Sequence, residues 1–234
     1  VQARFDQRTY KTLEEKDRVK LDNAIIHATI VKQESPRDDD TSIYHIFERL
    51  NNGGRRLAAQ EIRSALYHGP LVSMLAAMNE NEVWRRVFGK TSKRQKDQEF
   101  LLRFLALHHF SDKYEKPMNE FLNKFAGTNR NAPRNQIVRW EQLITMTLEL
   151  VDRVWGPTAF RLGGPINAAM FDSVMVGLAH RLQRDATPDP EKLKTAYSSL
   201  IVADSFLQAV TRATSDEQSV GTRISMAMKA FADC

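Results

Sequence analysis

The sequence predicts a mostly α-helical fold, a multi-helix, bundle-like domain preceded by a short segment that carries one strand. From Lys96 onward, apolar residues recur at steps of three and four, the spacing of one helix face. Only the stretch from Ala24 to Val31 is rich in β-branched residues and too short for a typical helix, which favours a strand. We therefore expect two parts, residues 1–40 with a helix and the strand, and residues 41–234 as the helical domain.

The N-terminal part begins with a capping-box pattern. Thr12 is followed three residues later by Glu15, and this pair predicts a helix that runs to about Asp22. The strand from Ala24 to Val31 cannot satisfy its own backbone groups. We expect it to pair with a sheet outside this chain, with a further short strand, or with a second copy, which would make it a homo-oligomer contact.

The helical domain is predicted to open with two helices around a glycine pair. The first ends at Leu50, the second runs from Ala58 to His68, and Gly53 and Gly54 allow the positive φ that ends a helix. Shorter helices are expected at residues 71–78 and 82–88. Further helices are expected after Lys96, Pro117, Pro133 and Gly164, then from Pro190 to about Arg212, and from Glu217 to Ala232.

Composition limits the class of protein. Hydrophobic residues make up 42% of the 234 and charged residues 27%, as in an ordinary globular protein. The longest apolar run, around Arg103, is too short and too polar for a membrane span.

Cys234 is the only cysteine, which excludes an internal disulfide and fits a bacterial cytoplasm. The histidines lack metal-ligand spacing, so we expect no metal site. The absence of an initiating Met predicts a piece of a longer protein.

The net charge of +5 is concentrated in two stretches. The first basic patch contains Arg85, Arg86, Lys90, Lys93, Arg94 and Lys96, and the second contains Arg130, Arg134 and Arg139. Such patches bind nucleic-acid phosphates, or they are solvated surface, and both interpretations stay open. Trp84, beside the first patch, is the aromatic side chain placed to touch a nucleic acid.

Residues 46–63 form the most informative segment, which we call the signature. Its defining residues are Phe47-Glu48-Arg49-Leu50-Asn51, then Gly54, Leu57 and Glu61-Ile62-Arg63. The order resembles a signature of the GmrSD restriction-endonuclease family, in the subunit with an N-terminal ParB-like domain. Weaker matches follow at Asp97, Glu99 and Arg103 and from Asn167 to Asp172. By this resemblance the chain is the helical C-terminal half of that subunit, and residues 1–40 are the remnant of the ParB-like domain junction.

The resemblance implies a non-catalytic part of a modification-dependent restriction or antiviral defence protein. This part would support nucleotide and DNA sensing by the upstream ParB-like domain, beside a nuclease partner. The family's Asp-Gly-Gln-Gln-Arg motif is absent, and Asp6-Gln7-Arg8 matches it only in part. We therefore assign no catalytic residue and no cofactor to this chain. The resemblance implies that the full-length protein binds a nucleoside triphosphate. The alternatives are a DNA-backbone-binding module and an oligomerisation scaffold.

The signature also contains the candidate site. Glycines before a helix N-terminus, with arginines beside them, can hold a phosphate or brace a nucleotide site. The candidates for this role are Asn51, Gly53, Gly54, Arg55, Glu61 and Arg63. The alternative is a tight turn that Glu61 or Arg63 ties to its neighbours. Elsewhere, Arg103 and Asp172 lie in apolar helices, and we expect them to be buried and to pair with each other.

Overall fold

Every regular element that the structure describes is a helix, which confirms the predicted mostly α-helical class. The computed structural model describes residues 5–25, 28, 41–50, 56–184 and 187–234. The chain divides into two units, Val1–Lys32 and Gln33–Cys234. In the described ranges, β-type pairing is confined to one isolated bridge between Arg161 and Ile166.

The N-terminal unit contains a 3-10 turn at Tyr10–Thr12 and helix α1 (Glu15–Asp22). The prediction that Thr12 caps α1 is wrong. Its hydroxyl accepts a hydrogen bond from the Thr9 amide at 2.9 Å, so it closes the preceding turn instead. Most of the predicted strand from Ala24 to Val31 lies outside the described residues.

The second unit contains the other eleven α-helices of the described chain. They are α2 (Thr41–Leu50), α3 (Ala59–Leu66), α4 (Pro70–Asn79), α5 (Glu82–Phe88), α6 (Lys96–Phe110), α7 (Met118–Thr128), α8 (Arg134–Val154), α9 (Ala168–Leu182), α10 (Pro190–Val202), α11 (Asp204–Thr211) and α12 (Glu217–Phe231). The helix predicted from Pro190 to about Arg212 is two helices, because Ala203 adopts an extended conformation between them. No glycine or proline marks that break.

Helix α9 forms the centre of the core. It is buried on all sides, and it packs against α6, α8 and α12. Gly177 allows α12 to approach closely, since a Cβ at this position would lie 2.9 Å from the carbonyl carbon of Ala227. The apolar residues of α6 are buried on most sides of the helix, and those of α8 are buried along one stripe that contains Trp140, Ile144, Leu148 and Val151.

None of the described helices combines the length and the apolar character that a membrane crossing requires.

Candidate functional site

The C-terminal end of the signature is held at the start of α3 by Glu61. Its carboxylate accepts a hydrogen bond from the Ala58 amide at 2.6 Å, which satisfies one of the free N–H groups that precede the helix. The same carboxylate lies 3.3 Å from Nε of Arg94, in the segment before α6. Arg94 also donates to the carbonyl of Arg56. Glu61 therefore acts as a cap and as a tie to the α5–α6 segment.

Arg63 is the most heavily bonded side chain of the signature. It is fully buried, and its guanidinium donates at 2.8–2.9 Å to four oxygens. They belong to Gln60 in α3, Glu99 in α6, and Asn119 and Asn123 in α7. A guanidinium has five N–H groups, so nearly all of its donor capacity is used inside the protein. Arg63 thus fastens α3 to both α6 and α7.

Glu61 and Arg63 tie the start of α3 to α6, α7 and the segment before α6. The Arg63 guanidinium has little donor capacity left for a phosphate. Asn51, Gly53, Gly54 and Arg55 lie outside the described residues, and their bracing or phosphate-binding role stays a prediction. Sequence reasoning missed Gln60, Asn119 and Asn123, because isolated amides give no periodic signal.

The arginines of the first basic patch form ion pairs within the protein. Arg85 pairs with the buried Asp97 at 3.0 Å, and Arg86 pairs with Asp152 at 2.7 Å. Arg94 pairs with the carboxylate that caps α3. Trp84 is fully buried, so the expectation that it contacts a nucleic acid is wrong: its indole N–H bonds to the Asn79 side chain inside the core.

The lysines of that patch remain exposed. Lys90, Lys93 and Lys96 lie between α5 and the first turn of α6, and they form no ion pair with a described residue. In the second patch, Arg130 donates to the His68 carbonyl at 3.1 Å and Arg134 is exposed at the start of α8. DNA binding by the first patch therefore stays a prediction that rests on the three lysines.

A buried charge cluster joins three helices of the core. Arg103 donates two hydrogen bonds, of 3.0 and 2.5 Å, to the fully buried carboxylate of Asp172, and this confirms the predicted pair. Arg223 of α12 shares the same carboxylate at 3.2 Å and donates to the Thr214 carbonyl at 2.6 Å. Burial lowers the pKa of Arg223, as does the charge of Arg103, while Asp172 opposes both.

A second polar cluster lies where the end of α6 meets α8 and α9. The indole N–H of Trp140 donates to Nε2 of His109 at 2.8 Å, and the Gln183 amide lies 3.2 Å from Nε2 of His108. The His108 and His180 rings are in contact at a tilt of 42°, with their centroids 4.7 Å apart. Burial lowers the pKa of His108 to about 3, with a further contribution from the two neighbouring histidines. His108, His109, Trp140 and Gln183 border a cleft, which we call the Trp140 cleft.

The described residues contain no group of His, Cys, Asp and Glu side chains placed to hold a metal ion.

No protein-family model, curated protein or solved structure matches this chain.

Proposed function

We propose that this chain is the non-catalytic helical part of a GmrSD-like, modification-dependent restriction or antiviral defence protein. In that role it supports nucleotide and DNA sensing by an upstream ParB-like domain. Two features support the proposal. One is the residue order of the signature, and the other is the set of contacts that Glu61 and Arg63, at its end, make with neighbouring helices. The observation that carries it is the buried Arg63, which bonds to three helices at once.

The Arg63 contacts make α3 a rigid support. Taking a guanidinium out of water costs several kcal/mol, which only well-placed acceptors offset. Here a carboxylate and three amide oxygens accept from it at 2.8–2.9 Å. Glu61 also fixes the first turn of α3, through the Ala58 amide and the Arg94 guanidinium. A signature whose end is anchored in this way is suited to holding a turn in one geometry beside a neighbouring domain.

The test uses the full-length protein with its upstream domain, and it measures nucleoside triphosphate hydrolysis with and without modified DNA. Asn51→Ala combined with Gly54→Ala is expected to lower turnover about tenfold or more, a barrier increase of about 1.4 kcal/mol. The melting temperature of each variant is measured alongside turnover, so that a loss of activity is separated from a loss of folded protein.

The matched control combines Asn135→Ala with Gly164→Ala. Asn135 is exposed, and a Cβ at Gly164 would meet nothing within 4 Å. This control should keep wild-type turnover. Unchanged turnover in the Asn51 and Gly54 variant would remove the bracing role from the proposal.

A further inference from the structure

The Trp140 cleft has the size of a small-molecule site. It lies between the end of α6, the first half of α8 and the end of α9, and its volume is about 390 Å³. Clefts that bind small ligands range over roughly 300–1,000 Å³ and combine apolar walls with a few polar groups. This cleft is therefore large enough for one ring system with a substituent.

One wall of the cleft is apolar. Trp140, Leu143 and Met146 follow one another at steps of three along α8, and Leu182 faces them from the end of α9. Met146 is 51% exposed, although the α8 stripe at Trp140 and Ile144 is buried. Trp140 itself is only 2% exposed, so Leu143, Met146 and Leu182 supply the apolar surface that a planar ligand would contact. The Met146 thioether makes that surface soft and polarisable.

The polar groups of the cleft are mainly amides. Gln136, Gln142 and Gln183 line it, and an amide both donates and accepts hydrogen bonds. The side chains of Gln136 and Gln142 make no hydrogen bond with a described residue. Side chains of this kind match a ligand edge that itself carries donors and acceptors.

The histidines of the cleft are neutral at physiological pH. Burial is the main cause that lowers the pKa of His109, and its charge interaction with His180 lowers that pKa further. Because the Trp140 indole can only donate, Nε2 of His109 is the acceptor, and the neutral ring carries its proton on Nδ1. His109 is exposed and lines the cleft, so it offers an uncharged N–H donor.

The charges around the cleft disfavour a cationic ligand. None of the described residues that line it is acidic, so a cationic ligand would find no counter-charge. Arg139 supplies the single charged side chain of the lining among the described residues, and it is exposed. An uncharged ring with a polar edge is the ligand class that the walls and the amides match together.

We propose that the Trp140 cleft binds a small, uncharged, planar heterocycle of the nucleobase class. The face of the ring lies against the apolar wall, and its edge bonds to the glutamine amides and to His109. The inference is independent of the GmrSD resemblance, because none of these residues belongs to the signature.

The test is saturation-transfer NMR on the chain with adenosine, guanosine, cytidine and thymidine at millimolar concentration and pH 7.5. At least one nucleoside should receive saturation through its base protons more strongly than through its ribose protons. Gln142→Ala combined with Met146→Ala should weaken binding of that nucleoside about fivefold or more. Both side chains are exposed, so the variant should keep the wild-type melting temperature.

The matched control replaces the same residue types on other helices, with Gln208→Ala on α11 and Met228→Ala on α12, both exposed. It should bind like the wild type. Indole serves as an apolar competitor without a nucleobase edge and should displace the nucleoside only weakly. The absence of transfer from all four nucleosides would overturn the proposal. Equal weakening in the test and control variants, or equal competition by indole, would do the same.

Discussion

At the scale of single residues, the clearest feature is a carboxylate shared by two arginines. Asp172 is fully buried and accepts hydrogen bonds from Arg103 and Arg223, which come from different helices. One negative charge thus balances two positive ones in a region of low dielectric constant. The stability of the cluster depends on that single carboxylate, because without it two cations would be buried side by side.

We expect Asp172→Asn to lower the free energy of unfolding by about 3–5 kcal/mol, the usual cost of breaking a buried ion pair. Asp152→Asn is the matched control, since it removes a carboxylate that pairs with the half-exposed Arg86. That surface pair is expected to contribute about 1 kcal/mol or less. Urea unfolding followed by circular dichroism compares the two. Similar losses in both variants would contradict the assigned importance of Asp172.

The histidines beside the Trp140 cleft predict that the protein becomes less stable in acid. Burial lowers the pKa of His108 from 6.5 to about 3 in the folded state, and it also lowers the pKa values of His109 and His180. Below pH 6.5 the unfolded chain therefore binds protons that the folded chain does not. The stability is fully present above pH 6.5 and is lost progressively as the pH falls toward 3.

For His108 alone, the free energy of unfolding should fall by up to about 1.4 kcal/mol per pH unit. Urea unfolding between pH 6.5 and 5 measures this slope while most carboxylates stay ionised. His108→Gln should reduce the slope by up to one proton equivalent. A variant that kept the full wild-type slope would show that His108 is not the responsible group.

At the scale of helices, the contact between α9 and α12 depends on a missing side chain. Gly177 faces the backbone of Ala227, and a Cβ would approach its carbonyl carbon to 2.9 Å. Two of the three nearest atoms are backbone and cannot rotate away, and the third belongs to the fully buried ring of Phe231. In contrast, Gly221 on α12 would place a Cβ in open space. Both glycines lie inside helices, but we expect their replacement by alanine to change the stability of the protein in opposite directions.

Gly177→Ala is expected to lower the free energy of unfolding by about 1–3 kcal/mol, because overpacking outweighs the better helix propensity of alanine. Gly221→Ala should instead raise it by about 0.5–1 kcal/mol, which is the propensity gain alone. Thermal or urea unfolding of both variants gives the comparison. Stabilisation by Gly177→Ala would mean that α9 and α12 are not packed as closely as described.

Helix boundaries were predictable where a local residue determines them. Asn167 accepts a hydrogen bond from the Met170 amide at the start of α9, and Asp189 accepts one from the Glu191 amide at the start of α10. Pro190 at the first position of α10 also marks a helix start, because the N–H group that proline lacks would have no partner inside the helix. The break at Ala203 was missed, because alanine is a good helix former and no glycine or proline lies beside it.

At the scale of the whole molecule, half of the basic side chains in the first patch, which suggested a nucleic-acid surface, are used in ion pairs within the fold. Arg85, Arg86 and Arg94 each pair with a carboxylate from a different part of the chain. The positive surface of the first patch is reduced to its three lysines. A charge run along a sequence therefore overstates the charge that a partner would encounter.

By itself, the sequence determined the helical class, most of the helix ends and the apolar faces, because periodicity and capping act over a few residues. It also indicated that Arg103 and Asp172 are buried, since charges in apolar helices need partners. The tertiary structure alone decided which groups meet. Arg63 and Asn123 are 60 residues apart in the chain, and Arg223 is 51 residues from Asp172. Such contacts depend on how the helices pack, and no local pattern encodes them.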